Sequence, residues 1–233
     1  VYKRQTLLIH PRGARHMINP AKLKAGATAV YGEAQFAEIY GDIIPVDEQR
    51  VRTMDDGDEA TVGDRKLVFI DTPGHARHHF CVYDPTSRGI FTGDTFGLSY
   101  PPLTTVNGPF ICPTTTPVQF DPPALKASIR TLLALKPERI YLTHYGMVEN
   151  PQPLGERLLT MVDDYVALAE TVAVTSDADA LEKALMVAMR EYLFRSAREH
   201  GCEMSDEQLD AVLGLDIQLN SQGLAVWLQS RSR

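Results

Sequence analysis

The sequence predicts an α+β fold, a strand-rich block followed by an all-helical segment. Three observations carry this. Short apolar runs bounded by Gly, Asp and Pro turns recur between residues 51 and 143. After Pro153 apolar residues recur at helical spacing and no strand pattern returns. With 233 residues, 44% of them hydrophobic, the chain can bury a sizeable core as one domain with an appendage, the boundary falling near 151–153.

Residues Val1-Tyr2-Lys3-Arg4-Gln5 are what GTG-TAT-AAG-AGA-CAG encodes, DNA that matches the end of a transposase sequencing adapter. We read residues 1–5 as a library scar and exclude them from fold reasoning. There is no initiator Met, and the chain enters directly on a core-like strand, so we expect a reading frame cut by fragmentation.

Thr6–His10 reads as that strand, and Pro11 suits the first turn of a short helix reaching about Met17. Ala34, Phe36, Ala37, Ile39 and Tyr40 have helical spacing over 32–40, ended by Gly41-Asp42. Strands follow at 51–53, 60–62, 67–70, 79–83 and 89–92, the last two flanking the hairpin turn Asp84-Pro85-Thr86-Ser87. The acidic turn 55–58 lacks the later ligands of a calcium loop and reads as a solvated hairpin. Residues 101–123 are Pro- and Thr-rich, a long ordered loop of the kind that covers active sites. Leu125, Ile129, Leu132, Leu133 and Leu135 mark an amphipathic helix, and 140–143 is the expected last strand. Helices are then predicted at 154–172, 178–200, 206–213 and about 217–228, with Ser205 and Gln208 forming a capping box.

The formal charge of −7 lies entirely in residues 151–233, which hold 7 basic and 14 acidic residues. An acidic tail without a basic stripe argues against nucleic acid and against an anionic membrane surface. No apolar run reaches the roughly 18 residues of a membrane span. Cys81, Cys112 and Cys202 are widely spaced and odd in number, which fits thiols of a reducing compartment and hence a cytoplasmic location.

Three positions carry the chemistry. His75 lies in Asp71-Thr72-Pro73-Gly74-His75, Asp94 in Phe91-Thr92-Gly93-Asp94-Thr95, and His144 in Tyr141-Leu142-Thr143-His144-Tyr145-Gly146. Each follows a short apolar run, so each would be delivered by the end of a different strand. Imidazole and carboxylate suit zinc or iron in hydrolytic sites. Spacings of 19 and 50 residues require convergence through the fold. Asp71 is a candidate for orienting a ligand histidine or capping its strand. His79 is a candidate for supporting a ligand or touching substrate, beside a structural reading, and Tyr100 and Tyr145 for contacting an oxyanion or substrate. His10, His16 and His200 read as structural.

The trio resembles the metallo-β-lactamase superfamily, whose His-x-His-x-Asp-His signature would precede it and does not occur here. The resemblance covers roughly residues 6–150 and implies the later part of a four-layer αβ/βα sandwich. It implies two divalent metals, zinc first, with iron and manganese as alternatives. His75 would join the two histidines of the absent signature on one metal, Asp94 would bridge both metals, and His144 would complete the second. It further implies a metal-bound hydroxide that hydrolyses a thioester, ester or lactone. The helical extension is reminiscent of glyoxalase II, but it lacks a basic cluster for a glutathione carboxylate. Lactonase relatives often carry Tyr three residues after the bridging Asp, where this chain has Gly97.

The expected partner is therefore a small-molecule substrate. A second class of function is a metal-poor interaction module, its homodimer formed through apolar stripes such as Leu181, Leu185, Met189 and Leu193, which are otherwise core. The resemblance also leads us to expect that this chain alone binds metal weakly, is inactive and exposes a sheet face.

Overall fold

A computed structural model of the chain describes residues 5–115, 119–172 and 177–231. Most of the five-residue scar reading and part of the 101–123 loop reading lie outside these residues. β1 (Leu7–Ile9) leads into α1 (Pro11–Ile18), α2 (Ala21–Tyr31) and α3 (Glu33–Tyr40). Next come β2 (Val51–Thr53), β3 (Glu59–Val62), β4 (Arg65–Asp71), β5 (Phe80–Asp84) and β6 (Gly89–Gly93). α4 (Pro122–Ala134), β7 (Arg139–Leu142), β8 (Gly146–Glu149), α5 (Pro151–Val172), α6 (Ala178–Glu199) and α7 (Asp206–Arg231) complete the chain.

β3 to β8 form one six-stranded sheet in sequence order. All neighbours are antiparallel except β6 and β7, which are parallel and so need the crossover that contains α4. β1 and β2 pair separately as a short parallel ladder.

Alternation along the strands decides what each face meets. Ile70, Cys81, Ile90, Ile140, Leu142 and Val148 point into one core, which continues through α4 and α5 to Leu185 and Leu193 of α6 and Leu213 and Leu224 of α7. Sheet and helical segment thus share a single apolar interior. On the opposite face Phe69 packs with Met54 and Ala60 under Leu8, Phe80 and Val82. Further along that face Phe91 stacks on Tyr141 with 49% of its surface open.

Several expectations need correction. α2 was not anticipated: Ala21–Tyr31 has no clean apolar stripe and relies on the helix propensity of its Ala, Lys and Leu. β7 is not the last strand, because the chain reverses over Thr143–Tyr145, with Tyr145 at φ +70°, and returns as β8. The acidic turn 55–58 is not a hairpin, since β2 and β3 belong to different sheets. The last two predicted helices are one continuous α7, through which Leu213, Ile217 and Leu224 stay buried. Leu181, Leu185, Met189 and Leu193 are at most 5% exposed inside the chain's own core, so they form no dimer surface. The capping box is present: Ser205 N–H donates to Gln208 Oε1 at 2.9 Å, and Gln208 N–H to Ser205 Oγ at 3.3 Å.

Candidate metal centre

The three sequence-separated motifs converge at the strand ends. β4 ends at Asp71, and the turn Thr72–Gly74 throws His75 back across the sheet. That turn is clamped by α4: Ser128 Oγ donates to the Pro73 carbonyl at 2.7 Å and Asp121 N–H to the Gly74 carbonyl at 2.8 Å. Gly74 sits at φ +132°, and a Cβ there would lie 2.2 Å from the Leu125 nitrogen, so only glycine lets the turn approach α4 this closely. Asp94 follows β6, and His144 occupies the turn between β7 and β8.

Asp94 stands between the two imidazoles. His75 Nε2 is 3.6 Å from Asp94 Oδ2, and His144 Nε2 is 3.4 Å from Asp94 Oδ1. Both distances exceed those of ordinary hydrogen bonds. Two ligands at about 2.0–2.1 Å from one tetrahedral metal sit about 3.3 Å apart, so the spacing is that of co-ligands. The carboxylate offers one oxygen to each side, the geometry of a bridging ligand.

His75 is buried, and that burial lowers its pKa, although the Asp94 charge opposes the shift. The neutral ring leaves a lone pair on Nε2 when Nδ1 carries the proton, and Nδ1 lies 3.4 Å from the Thr114 carbonyl. Among the described residues no group of three or more His, Cys, Asp or Glu side chains converges on a single point. Each half-site has one imidazole and one carboxylate oxygen. Donor types and spacing therefore fit a two-metal site and supply two donors to each metal, where catalytic zinc sites use three protein ligands.

His79 supports this arrangement. Its Nε2 accepts the Asp94 backbone N–H at 3.1 Å, which requires the proton on Nδ1. Nδ1 faces the hydroxyls of Thr72 and Thr95, each at 3.0 Å. Burial, reinforced by neighbouring histidines, lowers His79 to about 3, so it stays neutral and accepting. The other side chains depart from expectation. Asp71 Oδ1 lies 3.2 Å from His10 Nε2, so it orients His10 and neither His75 nor His144. Tyr100 gives its only hydroxyl proton to Asp216 Oδ2 and has none left for an oxyanion in this arrangement. The Tyr145 ring lies against Tyr100, tilted by 33° at 4.4 Å between centroids, is 56% exposed and lies next to His144. His10 caps α1, and His200 Nε2 meets the Gly108 carbonyl at 2.9 Å, both structural roles.

Sequence reasoning missed Asp216, whose carboxyl is raised mainly by burial and which also feels the charge of His144. It missed the Thr114 carbonyl as well. No local motif marks either residue, because each reaches the site through packing of distant segments.

Comparison with known proteins places the chain in a family. The metallo-beta-lactamase superfamily profile matches residues 6–144. A metallo-beta-lactamase fold-containing protein of Sulfurisphaera tokodaii, ST1585, is 32% identical over 142 residues, covering 60% of this chain and 49% of that protein. The hydroxyacylglutathione hydrolase of Brucella ovis is 40% identical over 76 residues, 33% of this chain and 26% of that enzyme. The chain thus spans about half or less of the curated relatives it matches. In structure it is similar to ST1585 at TM-score 0.59 and 22% identity, over 94% of this chain and 70% of that one. A metallo-beta-lactamase family protein of Thermus thermophilus superposes at TM-score 0.54 and 14% identity, over 97% and 67%.

Proposed function

We propose, from the premise that this chain belongs to the metallo-beta-lactamase superfamily, that it contributes His75, Asp94 and His144 to the dinuclear centre of a hydrolase acting on a thioester, ester or lactone. The observation that carries this is the Asp94 carboxylate, held between two imidazole nitrogens at co-ligand spacing. Divalent metals bound there would supply an activated water near neutral pH and polarise the substrate carbonyl. The chain's own groups do the rest. Asp94 divides its two oxygens between the half-sites. His79 fixes the Asp94 backbone, and the Thr114 carbonyl keeps the His75 proton on Nδ1. Tyr145 offers an exposed ring beside His144 for the substrate to lie against.

The partial match to hydroxyacylglutathione hydrolase puts an acyl-glutathione thioester first among substrates to assay. Zinc is the first metal to load, then iron and manganese. The test is turnover of a thioester, ester and lactone panel, before and after chelation, by the metal-loaded chain joined to a segment that carries His-x-His-x-Asp-His, since the chain alone offers two donors per metal and is expected to be inactive. Turnover that chelation abolishes and metal restores supports the reading. Two bound metals with no turnover of any class would sink it. A second reading is favoured by the count of two donors per half-site: a metal-poor interaction module. Absence of bound metal together with self-association would support that one.

A further inference from the structure

The helical segment has no role in the chemistry just proposed, yet one buried side chain of α7 reaches the loop behind the metal centre. Asn220 is 1% exposed. Its Oδ1 accepts the Thr115 backbone N–H at 2.7 Å. The Thr115 hydroxyl lies 2.9 Å from the Asn220 carbonyl and 3.1 Å from its Oδ1. Asn220 Nδ2 points at the Pro113 carbonyl at 3.4 Å. The amide thus grips the backbone on both sides of Thr114. One turn on, a Cβ at Gly223 would sit 2.1 Å from the Thr115 carbonyl oxygen, so helix and loop are in backbone contact. Between these two anchors lies the carbonyl that faces His75 Nδ1.

We infer that Asn220 is a positioning residue for the metal centre. By holding residues 113–115 it aims the Thr114 carbonyl at His75 and so selects the tautomer with a free lone pair on Nε2. This rests on the reading of His75 as a ligand. Outer groups of this kind orient ligand imidazoles and raise their basicity. A side chain that held only the helix would have no need to grip a loop residue 105 positions away.

The test uses the full chain with Asn220→Ala, and Thr115→Val as a milder variant that keeps the backbone N–H bond. Leu213→Ala serves as control, a core truncation about two turns before Asn220 on the same helix. Two quantities are read: the His75 tautomer by 15N NMR of the metal-free protein, and zinc affinity by competition with a chromophoric chelator. Asn220→Ala is expected to mix the His75 tautomers and to weaken zinc about 10–100-fold. Thr115→Val should shift both in the same direction by less. Leu213→Ala should lower the melting temperature and leave both unchanged. An unaltered His75 tautomer in Asn220→Ala, or an equal change in Leu213→Ala, overturns the proposal. If the unsubstituted chain binds no zinc, the hydrolase reading fails, while the tautomer measurement still decides the role of Asn220.

Discussion

His79 Nε2 accepts the backbone N–H of Asp94 at 3.1 Å, so a third imidazole holds the residue whose carboxylate stands between His75 and His144. Because Gly93 precedes it at φ +50°, the chain can turn sharply enough for this bond to close. His79→Ala should leave the fold intact and weaken metal binding about 10–100-fold, as loss of supporting hydrogen bonds to ligands typically does. Calorimetric or competition titration with zinc checks it, and an unchanged affinity would remove His79 from the site.

Acid should destabilise the metal-free chain before its carboxylates titrate. Burial is the first cause lowering His75, His78 and His79 from 6.5, with His79 reaching about 3. Their folded pKa values lie below the unfolded ones, so the unfolded chain binds more protons in that window. Their stabilising contribution is present above about pH 6.5 and is lost as pH falls. For His79 alone the slope approaches about 1.4 kcal/mol per pH unit between 6.5 and 3. Asp216, raised by burial, opposes this with a single proton. Urea midpoints from about pH 7.5 to 5.5 should fall steadily, and a flat profile contradicts the burial of these rings.

Gly74→Ala should lower stability by roughly 2 kcal/mol, from backbone strain and the clash with α4. The neighbouring atom is the Leu125 backbone nitrogen, which cannot swing aside. Chemical denaturation measures the loss. A variant as stable as the original would mean that the turn before His75 does not press on α4.

Leu158→Ala should cost about 2–5 kcal/mol, as a fully buried leucine of α5 becomes a cavity. Since sheet and helices share one core, both should unfold together. Trp227 fluorescence reports on α7 and far-ultraviolet circular dichroism on the whole chain, so their transitions should coincide. Two separated transitions would show that the segments fold independently.

Most strands, the α4 and α5 stripes, the capping box and the choice of His75, Asp94 and His144 as a trio that comes together were legible in the sequence. Those features depend on local period, turn chemistry or side-chain type, all readable from neighbours in the chain. The rest was set only when distant segments packed together. β8 exists because β7 offers it an edge, and α7 runs unbroken because the core covers its middle. Asp71 turns to His10 because that ring is the partner within reach. Asp94 lies between His75 and His144, Tyr100 gives its proton to Asp216, and Asn220 grips the loop behind His75, because packing sets those distances. Hydrogen bonds act over about 3 Å whatever the separation along the chain, so their partners are fixed only when the fold closes.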